Sequence, residues 1–216
     1  NYAKEVTKRF LNHKESIVLE FGCNDGVLLR PLADQGIKKV IGVDPAKNII
    51  STINDKRITI INDYFTEKVS KEVVAKYGSV DLIMANNVFA HIPDIKGITA
   101  AIKNALSDEG VFVFEVHYLG KIIEEMQYDM IYHEHLYYYS LISAKEHFKK
   151  YDLVIFDIKH VDIHAGSIRF YVAKKDSNRA KIISENVKLL EREENLKLYN
   201  KFKSFKLFSN KVENTK

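Results

Sequence analysis

The stretch Val18-Leu-Glu-Phe-Gly-Cys-Asn-Asp-Gly26, followed by Gly42-Val-Asp-Pro45, decides the fold of this 216-residue chain. The first part runs from a hydrophobic strand into a glycine turn, after which Val27-Leu-Leu begins an apolar helix. Glycine in such a turn lets a ligand approach the backbone closely. Gly22 and Gly26 are spaced Gly-x-x-x-Gly, unlike the Gly-x-Gly-x-x-Gly turn that grips a pyrophosphate. The pattern therefore favours a nucleoside without phosphates.

Outward from this turn, short apolar runs alternate with helix-like stretches, as is typical of an α/β domain with a mainly parallel sheet. Five strands and two further runs that would form an antiparallel edge are predicted at Ser16–Glu20, Lys39–Val43, Ile58–Ile61, Val80–Met84, Gly110–Val116, Leu153–His160 and Ser167–Lys174. Helices are predicted after Gly26, after Pro45, over Glu67–Tyr77 and over Ile95–Leu106, ahead of a turn at Ser107–Gly110. A seven-stranded sheet results.

Beyond the last strand, apolar residues recur at helical spacing from about Asn178 to Val212, with one polar interruption at Glu194. This pattern predicts a long C-terminal helix, so that residues 1–176 form the main domain and residues 177–216 an amphipathic helical extension. The apolar stripe of such a helix needs a cover. We expect the stripe to pack against this domain, against a twin subunit in a homodimer, or against a further domain.

Composition and charge exclude several classes of protein. Hydrophobic residues make up 46% and charged residues 29% of the chain, which indicates a packed domain. Residues 174–216 hold 12 Lys/Arg and 6 Asp/Glu, but the two signs are interspersed, so a solvated helix face is favoured over nucleic-acid binding. The single cysteine, Cys23, excludes an internal disulfide framework. No apolar run approaches the roughly 20 residues that cross a bilayer, so we expect a cytoplasmic protein with no membrane contact.

Acidic and amide side chains follow the predicted strands at the edge where open α/β sheets bind ligands. Glu20 ends the first strand and can accept a hydrogen bond from an ammonium group. Asp44 ends the second, where its two oxygens suit a ribose diol, although the same carboxylate could cap the following helix. Asp63 ends the third, where it either accepts from an adenine amino group or belongs to a plain turn. The further candidates along this edge are Gly22, Asn24, Gly26, Pro45, Tyr64, Asn86 and Asn87.

A second set of polar residues crowds the segment 88–139. Its members are His91, Glu115, His117, Tyr118, Tyr128, Tyr132, His133, Glu134, His135, Tyr137, Tyr138 and Tyr139. One interpretation is aromatic packing at the sheet edge with solvated histidines. A metal site is disfavoured, because residues two apart on a helix do not share a face and no Asp or Cys ligand completes the set, so we expect no metal. The remaining interpretation is acid and base chemistry around a carbonyl substrate.

The sequence resembles the NDP-sugar C-methyltransferases that make branched deoxysugars, a family that depends on S-adenosylmethionine (SAM) and has a Rossmann-like core. The resemblance runs from about Tyr2 to the end of the chain. It rests on Glu20-Phe-Gly-Cys-Asn-Asp-Gly26, Gly42-Val-Asp-Pro45, Asn86-Asn-Val-Phe-Ala-His-Ile-Pro-Asp94, Phe114-Glu-Val-His-Tyr-Leu119, Gln127-Tyr-Asp129, Tyr132-His-Glu-His-Leu136, Tyr138-Tyr-Ser140 and His164-Ala-Gly-Ser-Ile-Arg169. It implies a Rossmann-like SAM-dependent methyltransferase fold, with SAM as the cofactor.

The resemblance also implies roles for individual residues. The acceptor would be a nucleotide-linked 4-keto-deoxysugar, with His135 as the base, Tyr132 and Glu134 orienting it, and His91 steadying the enolate. The side chains expected beside the substrate are His117, Tyr118, Tyr138, His164 and Arg169.

Two departures from the family pattern leave alternatives open. Family members have a cysteine-rich zinc-binding region ahead of the core and a further domain behind it, and this chain has neither. We therefore expect either a central fragment, which its Asn1 start and lysine-rich end favour, or a reduced relative acting on another acceptor. O- or N-methylation of a sugar or other small metabolite, and a non-catalytic SAM-binding or nucleotide-sugar-binding module, are the alternative functions.

Overall fold

A computed structural model describes residues 2–11, 13–163 and 166–215, and within them seven strands form one sheet. The strands are β1 Ile17–Phe21, β2 Lys39–Val43, β3 Ile58–Ile61, β4 Val80–Asn86, β5 Leu106–His117, β6 Leu153–Val161 and β7 Ser167–Lys174. Their order across the sheet is β3-β2-β1-β4-β5-β7-β6. Strands β1 to β5 pair in parallel, and β7 pairs antiparallel with both β5 and β6. The predicted α/β fold, mainly parallel with an antiparallel edge, is confirmed.

Helices cover both faces of the sheet and produce two hydrophobic cores. The helices are α1 Tyr2–Phe10, α2 Leu29–Asp34, α3 Lys47–Ile50, α4 Glu67–Tyr77, α5 Ile95–Ala105, α6 Leu119–Glu124, α7 Leu141–Lys149, α8 Glu185–Lys197 and α9 Phe202–Glu213. One core packs α4, α5, α7 and α8 against the sheet, and the other packs α1 and α2 against the opposite face. The strand order reverses between β1 and β4, which is where open α/β sheets bind ligands.

The prediction of a turn at Ser107–Gly110 is wrong, because β5 begins directly after α5. Leu106 pairs with Val80, and the register then shifts by the time Val111 pairs with Leu82. The Ser107 hydroxyl donates to Asp81 Oδ1 over 3.1 Å, so the polar residues of this segment bond to the neighbouring strand. The bulge accommodates polar residues that resemble a turn in the sequence.

The prediction of a single long C-terminal helix is also wrong, because the segment contains two helices. Leu198 ends α8 in the left-handed conformation with φ 58°, and Tyr199 then turns into the protein body, where it is buried. The Tyr199 hydroxyl donates to Glu124, at the end of α6. Helical spacing continues across this break, which is why the sequence pattern conceals it.

The polar interruption Glu194 has a structural explanation. Its side chain is fully buried and accepts hydrogen bonds from the backbone N–H groups of Leu141 and Ile142 and from the Tyr118 hydroxyl, over 2.7 to 3.0 Å. The first N–H groups of a helix have no partner within it, so Glu194 satisfies two of them at the start of α7. The helix α8 is thus fixed to the main domain by a carboxylate as well as by Val187 and Leu190.

The final helix differs from α8, because none of its residues is buried. Phe202 is 81% exposed and Leu207 is 53% exposed. Among the described residues, no helix combines the length and the apolar character that crossing a membrane requires.

Candidate cofactor and acceptor site

The glycine turn after β1 has a backbone that other residues adopt with difficulty. Gly22 and Gly26 have φ values of +66° and +77°, in the left-handed region. The Gly22 N–H donates to Val43 O over 2.8 Å, which ties the turn to the end of β2. A Cβ on Gly22 would lie 2.3 Å from Val88 Cγ2, so the turn and the segment after β4 approach more closely than any side chain would allow.

Asp44 holds the turn in place from the end of β2. Its buried carboxylate accepts the Asn24 N–H over 3.0 Å and the Ala46 N–H over 2.8 Å. The Asn62 amide donates to the carbonyls of Asp44 and Pro45, each over 3.0 Å. Asp44 therefore braces the turn and the segment leading into α3. Each carboxylate oxygen keeps a further lone pair for a ligand.

Glu20 and Asn86 meet where the strand order reverses. Asn86 Nδ2 donates to Glu20 Oε1 over 3.0 Å, while Glu20 Oε2 and Asn86 Oδ1 are buried with no hydrogen-bond partner among the described residues. Burial, supported by the charges of Asp44 and Asp25, raises the pKa of Glu20 to about 8. Two unpaired buried acceptors at one point fit a cationic hydrogen-bond donor such as an ammonium group.

A cleft of about 560 Å³ opens beside these residues. Its walls are Phe21, Gly22, Val43, Pro45, Tyr64, Phe65, Thr66, Glu67, Val88, His91, Ile92, Pro93, Asp94, Gly97 and Ile98. Of the predicted cofactor residues, Gly22, Pro45 and Tyr64 thus line this cleft. Asp63 lies exposed next to Tyr64 and accepts the Tyr64 N–H over 2.8 Å. The apolar walls and the flanking acids are suited to a nucleoside.

A second cavity of about 120 Å³ adjoins the first, and His91 lines both. Its walls are Asn87, Ala90, His91, Val116, His117, Met130, Tyr132 and His135. The fold thus unites the end of β4, the end of β5 and the segment 125–140, which we call the acceptor loop. Four of the His and Tyr residues that crowd the sequence converge here, namely His91, His117, Tyr132 and His135.

His91 and His135 are the central pair of this cavity, with ring centroids 4.9 Å apart. His91 Nδ1 lies 2.8 Å from the backbone carbonyl of Glu134. A carbonyl only accepts, so Nδ1 carries a hydrogen and donates it to Glu134 O. His135 Nε2 lies 3.1 Å from the Tyr132 hydroxyl.

The environment of His135 favours its neutral form. Burial lowers its pKa, and the nearby His91 and His117 act in the same direction, while a backbone hydrogen bond to Met130 opposes them. A histidine that is neutral near pH 7 accepts a proton. His135 therefore has the protonation state that a general base needs.

Backbone carbonyls and tyrosine hydroxyls fix the acceptor loop. The Tyr138 hydroxyl contacts Met130 O and Tyr132 O, each over 3.4 Å, and accepts the Tyr132 N–H over 3.2 Å. The N–H groups of Leu136 and Tyr137 both donate to Ala90 O. Tyr138, expected beside the substrate, thus shapes the loop that carries Tyr132 and His135.

Other predicted residues lie elsewhere. The Glu134 carboxylate is exposed, and the residue reaches His91 through its backbone carbonyl. Tyr118 does not lie where the sequence predicts, beside the substrate. Its ring is buried, and its hydroxyl donates a hydrogen bond to Glu194 instead of facing the acceptor cavity. Arg169 is buried against Glu115, and His164 lies outside the described residues.

The remaining polar residues form links around the acceptor cavity. His117 Nε2 lies 2.8 Å from Gln127 Oε1, and Asn87 Nδ2 lies 3.4 Å from Glu115 Oε1. Tyr2, which carries no site signal in the sequence, stacks against the Arg169 guanidinium. Glu194, in contrast, is marked in the sequence as the polar residue that interrupts the apolar stripe of the C-terminal segment.

Comparison with known proteins identifies the family. Residues 1–157 match the model of a methyltransferase domain family. The C-methyltransferase NovU of Streptomyces niveus is 36% identical over 157 residues, which are 73% of this chain and 37% of NovU. The chain thus corresponds to about a third of the length of that relative.

Solved structures share the fold at low sequence identity. A SAM-dependent methyltransferase from Anabaena variabilis superposes with a TM-score of 0.61 at 16% identity, covering 79% of this chain and 83% of its own. Haemonchus contortus phosphoethanolamine N-methyltransferase 2, in complex with phosphomonomethylethanolamine and S-adenosylhomocysteine, superposes with a TM-score of 0.60 at 16% identity, covering 81% and 52%. With the family match and the confirmed Rossmann-like sheet, the chain belongs to the methyltransferase domain family, whose cofactor is SAM.

Proposed function

We propose that this domain methylates a carbon of a nucleotide-linked 4-keto-deoxysugar, with His135 as the general base. The observation that carries the proposal is the pair of adjoining cavities that share His91, one suited to a nucleoside and one lined by His135, Tyr132 and His117. The 36% identity to a C-methyltransferase supports carbon as the acceptor atom.

The cofactor residues act mainly by binding and orienting. Asp44 takes the ribose hydroxyls through its remaining lone pairs, and Asp63 and Tyr64 flank the adenine. The unpaired oxygens of Glu20 and Asn86 take the ammonium group. Asn24 and Gly26 complete this half of the site, whereas Asn87, expected beside the cofactor, lies in the wall of the acceptor cavity. When bound, SAM supplies an electrophilic methyl group and leaves as S-adenosylhomocysteine.

The acceptor residues move a proton. His135 removes a proton from the carbon next to the ketone, which its lowered pKa permits near pH 7. Tyr132 orients the ring through its 3.1 Å contact, and Glu134 holds His91 through its carbonyl. His91 faces the sugar and steadies the negative charge that develops on the sugar oxygen, because donors aimed at an oxyanion stabilise it. His117 and the loop fixed by Tyr138 form the remaining wall around the sugar.

Hydrogen exchange at carbon tests this function without requiring turnover. A panel of nucleotide-linked 4-keto-deoxysugars is incubated in D₂O with S-adenosylhomocysteine, and deuterium next to the ketone is followed by NMR. The unaltered protein should exchange this hydrogen, and His135→Gln should slow the exchange by about 100-fold or more, the scale of a lost general base.

His133→Gln is the matched control, because His133 lies two residues away with an exposed side chain. It should exchange at the unaltered rate. Methyl transfer to oxygen or nitrogen without carbon exchange would contradict the proposal and favour the O- or N-methyltransferase alternative. Cofactor binding with neither exchange nor transfer would favour a non-catalytic module.

A further inference from the structure

A row of polar side chains crosses the sheet beneath α1. Asn86 pairs with Glu115 and Glu115 pairs with Arg169, so these three side chains share one face. Glu20 pairs with Met84, two residues before Asn86, and lies on the same face. The row therefore continues from the glycine turn across β4 and β5 to β7.

Arg169, at one end of this row, is buried with much of its hydrogen-bonding capacity unused. Its Nε donates to Glu115 Oε2 over 2.5 Å, and its Cζ lies 3.6 Å from the centre of the Tyr2 ring. Among the described residues, this is the one hydrogen bond of a guanidinium that has five N–H donors. No described residue accepts a hydrogen bond from its Nη groups, so these groups are available to an anion.

The other end of the row has the opposite character. Glu20 Oε2 and Asn86 Oδ1 are buried acceptors without a partner among the described residues. The Tyr2 hydroxyl, a donor near Arg169, is likewise buried and unpaired there. Adjacent strands lie about 4.8 Å apart, so about 10 Å separates the backbones of Arg169 and Asn86, and their side chains shorten the gap. Donors at one end and acceptors at the other match an α-amino acid zwitterion.

We propose that Arg169 and Tyr2 bind the carboxylate of the methionine end of the cofactor, opposite the ammonium group held by Glu20 and Asn86. This inference rests on the proposed function for its cofactor, and it assigns Arg169 to the cofactor instead of the sugar substrate. Arg169 lines neither the cofactor cleft nor the acceptor cavity, but it shares its sheet face with the ammonium residues. A substrate phosphate presents the same charge, so the test distinguishes the two anions.

Two ligands that differ only in this end of the molecule provide the test. S-adenosylhomocysteine carries the amino acid group, and 5′-methylthioadenosine lacks it. By calorimetry, Arg169→Gln should weaken S-adenosylhomocysteine binding by about 10- to 100-fold, the scale of lost charge-assisted hydrogen bonds, and leave 5′-methylthioadenosine binding within about twofold. Arg9→Gln, which breaks a second arginine–carboxylate pair, between α1 and Asp157 of β6, should alter neither affinity.

Arg169→Gln also leaves Glu115 buried without its partner, so the Arg169→Gln/Glu115→Gln double variant accompanies it. Retained 5′-methylthioadenosine binding reports an intact cleft in both variants. An unchanged affinity for S-adenosylhomocysteine would overturn the inference. This is the result expected if Arg169 binds a phosphate of the substrate instead. An equal loss for both ligands in the double variant would overturn it as well. Failure of the unaltered protein to bind either ligand would instead refute the proposed function.

Discussion

The two halves of the candidate site are built in different ways. The cofactor half is an extension of the sheet, in which Glu20, Gly22 and Asp44 end strands and the strand pairing fixes their backbones. The acceptor half combines the ends of β4 and β5 with the acceptor loop, 125–140, whose regular structure is a short 3₁₀ turn at Tyr128–Met130 and a single β-bridge from Tyr139 to Tyr118. Contacts to the carbonyls of Ala90 and Met130 and the hydroxyl of Tyr138 hold it. The first half depends on strand pairing, and the second on the hydrogen bonds of a loop to backbone carbonyls and a tyrosine hydroxyl.

Burial shifts the pKa of one titratable group in each half, in opposite directions. It raises the pKa of Glu20 to about 8 and lowers the pKa of His135, so both groups are neutral near pH 7. Glu20 needs a cationic ligand to become charged, whereas His135 is ready to accept a proton. The comparison suggests that variants in the cofactor half alter cofactor affinity, and variants in the acceptor half alter turnover.

The largest effect on cofactor affinity is expected from Gly22→Ala. Alanine at φ +66° costs about 1–2 kcal/mol, and its Cβ would also meet Val88 at 2.3 Å, which displaces the turn. Displacement of the turn changes the surface that contacts the ligand, so affinity for S-adenosylhomocysteine, measured by calorimetry, should fall by about 10- to 100-fold.

Gly36→Ala is the control for this experiment. Gly36 also has positive φ, +84°, but an added Cβ would meet only the flexible Lys14 side chain, at 3.3 Å. It should lower the unfolding temperature and leave the affinity unchanged. If both variants lost affinity equally, backbone strain alone would explain the result and the close approach to Val88 would have no role.

A smaller effect is expected from pH, through Glu20. Its carboxyl is protonated below about pH 8 in the free protein, and an ammonium ligand requires the charged form. Binding must therefore release a proton, so affinity for S-adenosylhomocysteine should rise by up to about tenfold per pH unit from about pH 6 to 8. Calorimetry in buffers of different ionisation enthalpy measures the released proton directly.

Glu20→Gln should abolish this pH dependence, because the amide does not titrate. The ligand 5′-methylthioadenosine, without an ammonium group, should bind the unaltered protein equally at each pH. If binding of S-adenosylhomocysteine released no proton, Glu20 would not contact the ammonium group and the assignment would be wrong.

The same contrast explains which features were predictable from the sequence. Strand ends could be located because apolar runs stop at Glu20, Asp44 and Asn86, and parallel strands bring their carboxyl ends to one edge. The bracing hydrogen bonds of Asp44 could be anticipated only as an alternative to ribose binding. Both interactions require the same acceptor at the same strand end.

The acceptor half was predictable in composition but not in arrangement. The crowding of His and Tyr residues indicated a site, yet nothing local distinguishes Tyr132, which faces the cavity, from Tyr118, whose hydroxyl bonds Glu194. That partner is 76 residues away in the chain. Long-range pairs of this kind, including Tyr2 with Arg169, depend on tertiary packing and leave no periodic pattern in the sequence.

The smallest effect is expected from Tyr138→Phe, which examines whether side-chain contacts control turnover. The phenylalanine ring keeps the packing but loses the hydroxyl contacts with Met130 and Tyr132, so the loop that carries His135 loosens. One such net hydrogen bond contributes about 0.5–1.5 kcal/mol, so methyl transfer should slow by about two- to tenfold while cofactor affinity stays constant. Tyr151→Phe, at the opposite end of α7, is the control and should leave both quantities unchanged. A loss of cofactor affinity in Tyr138→Phe would mean that the two halves are coupled and that the division between them is wrong.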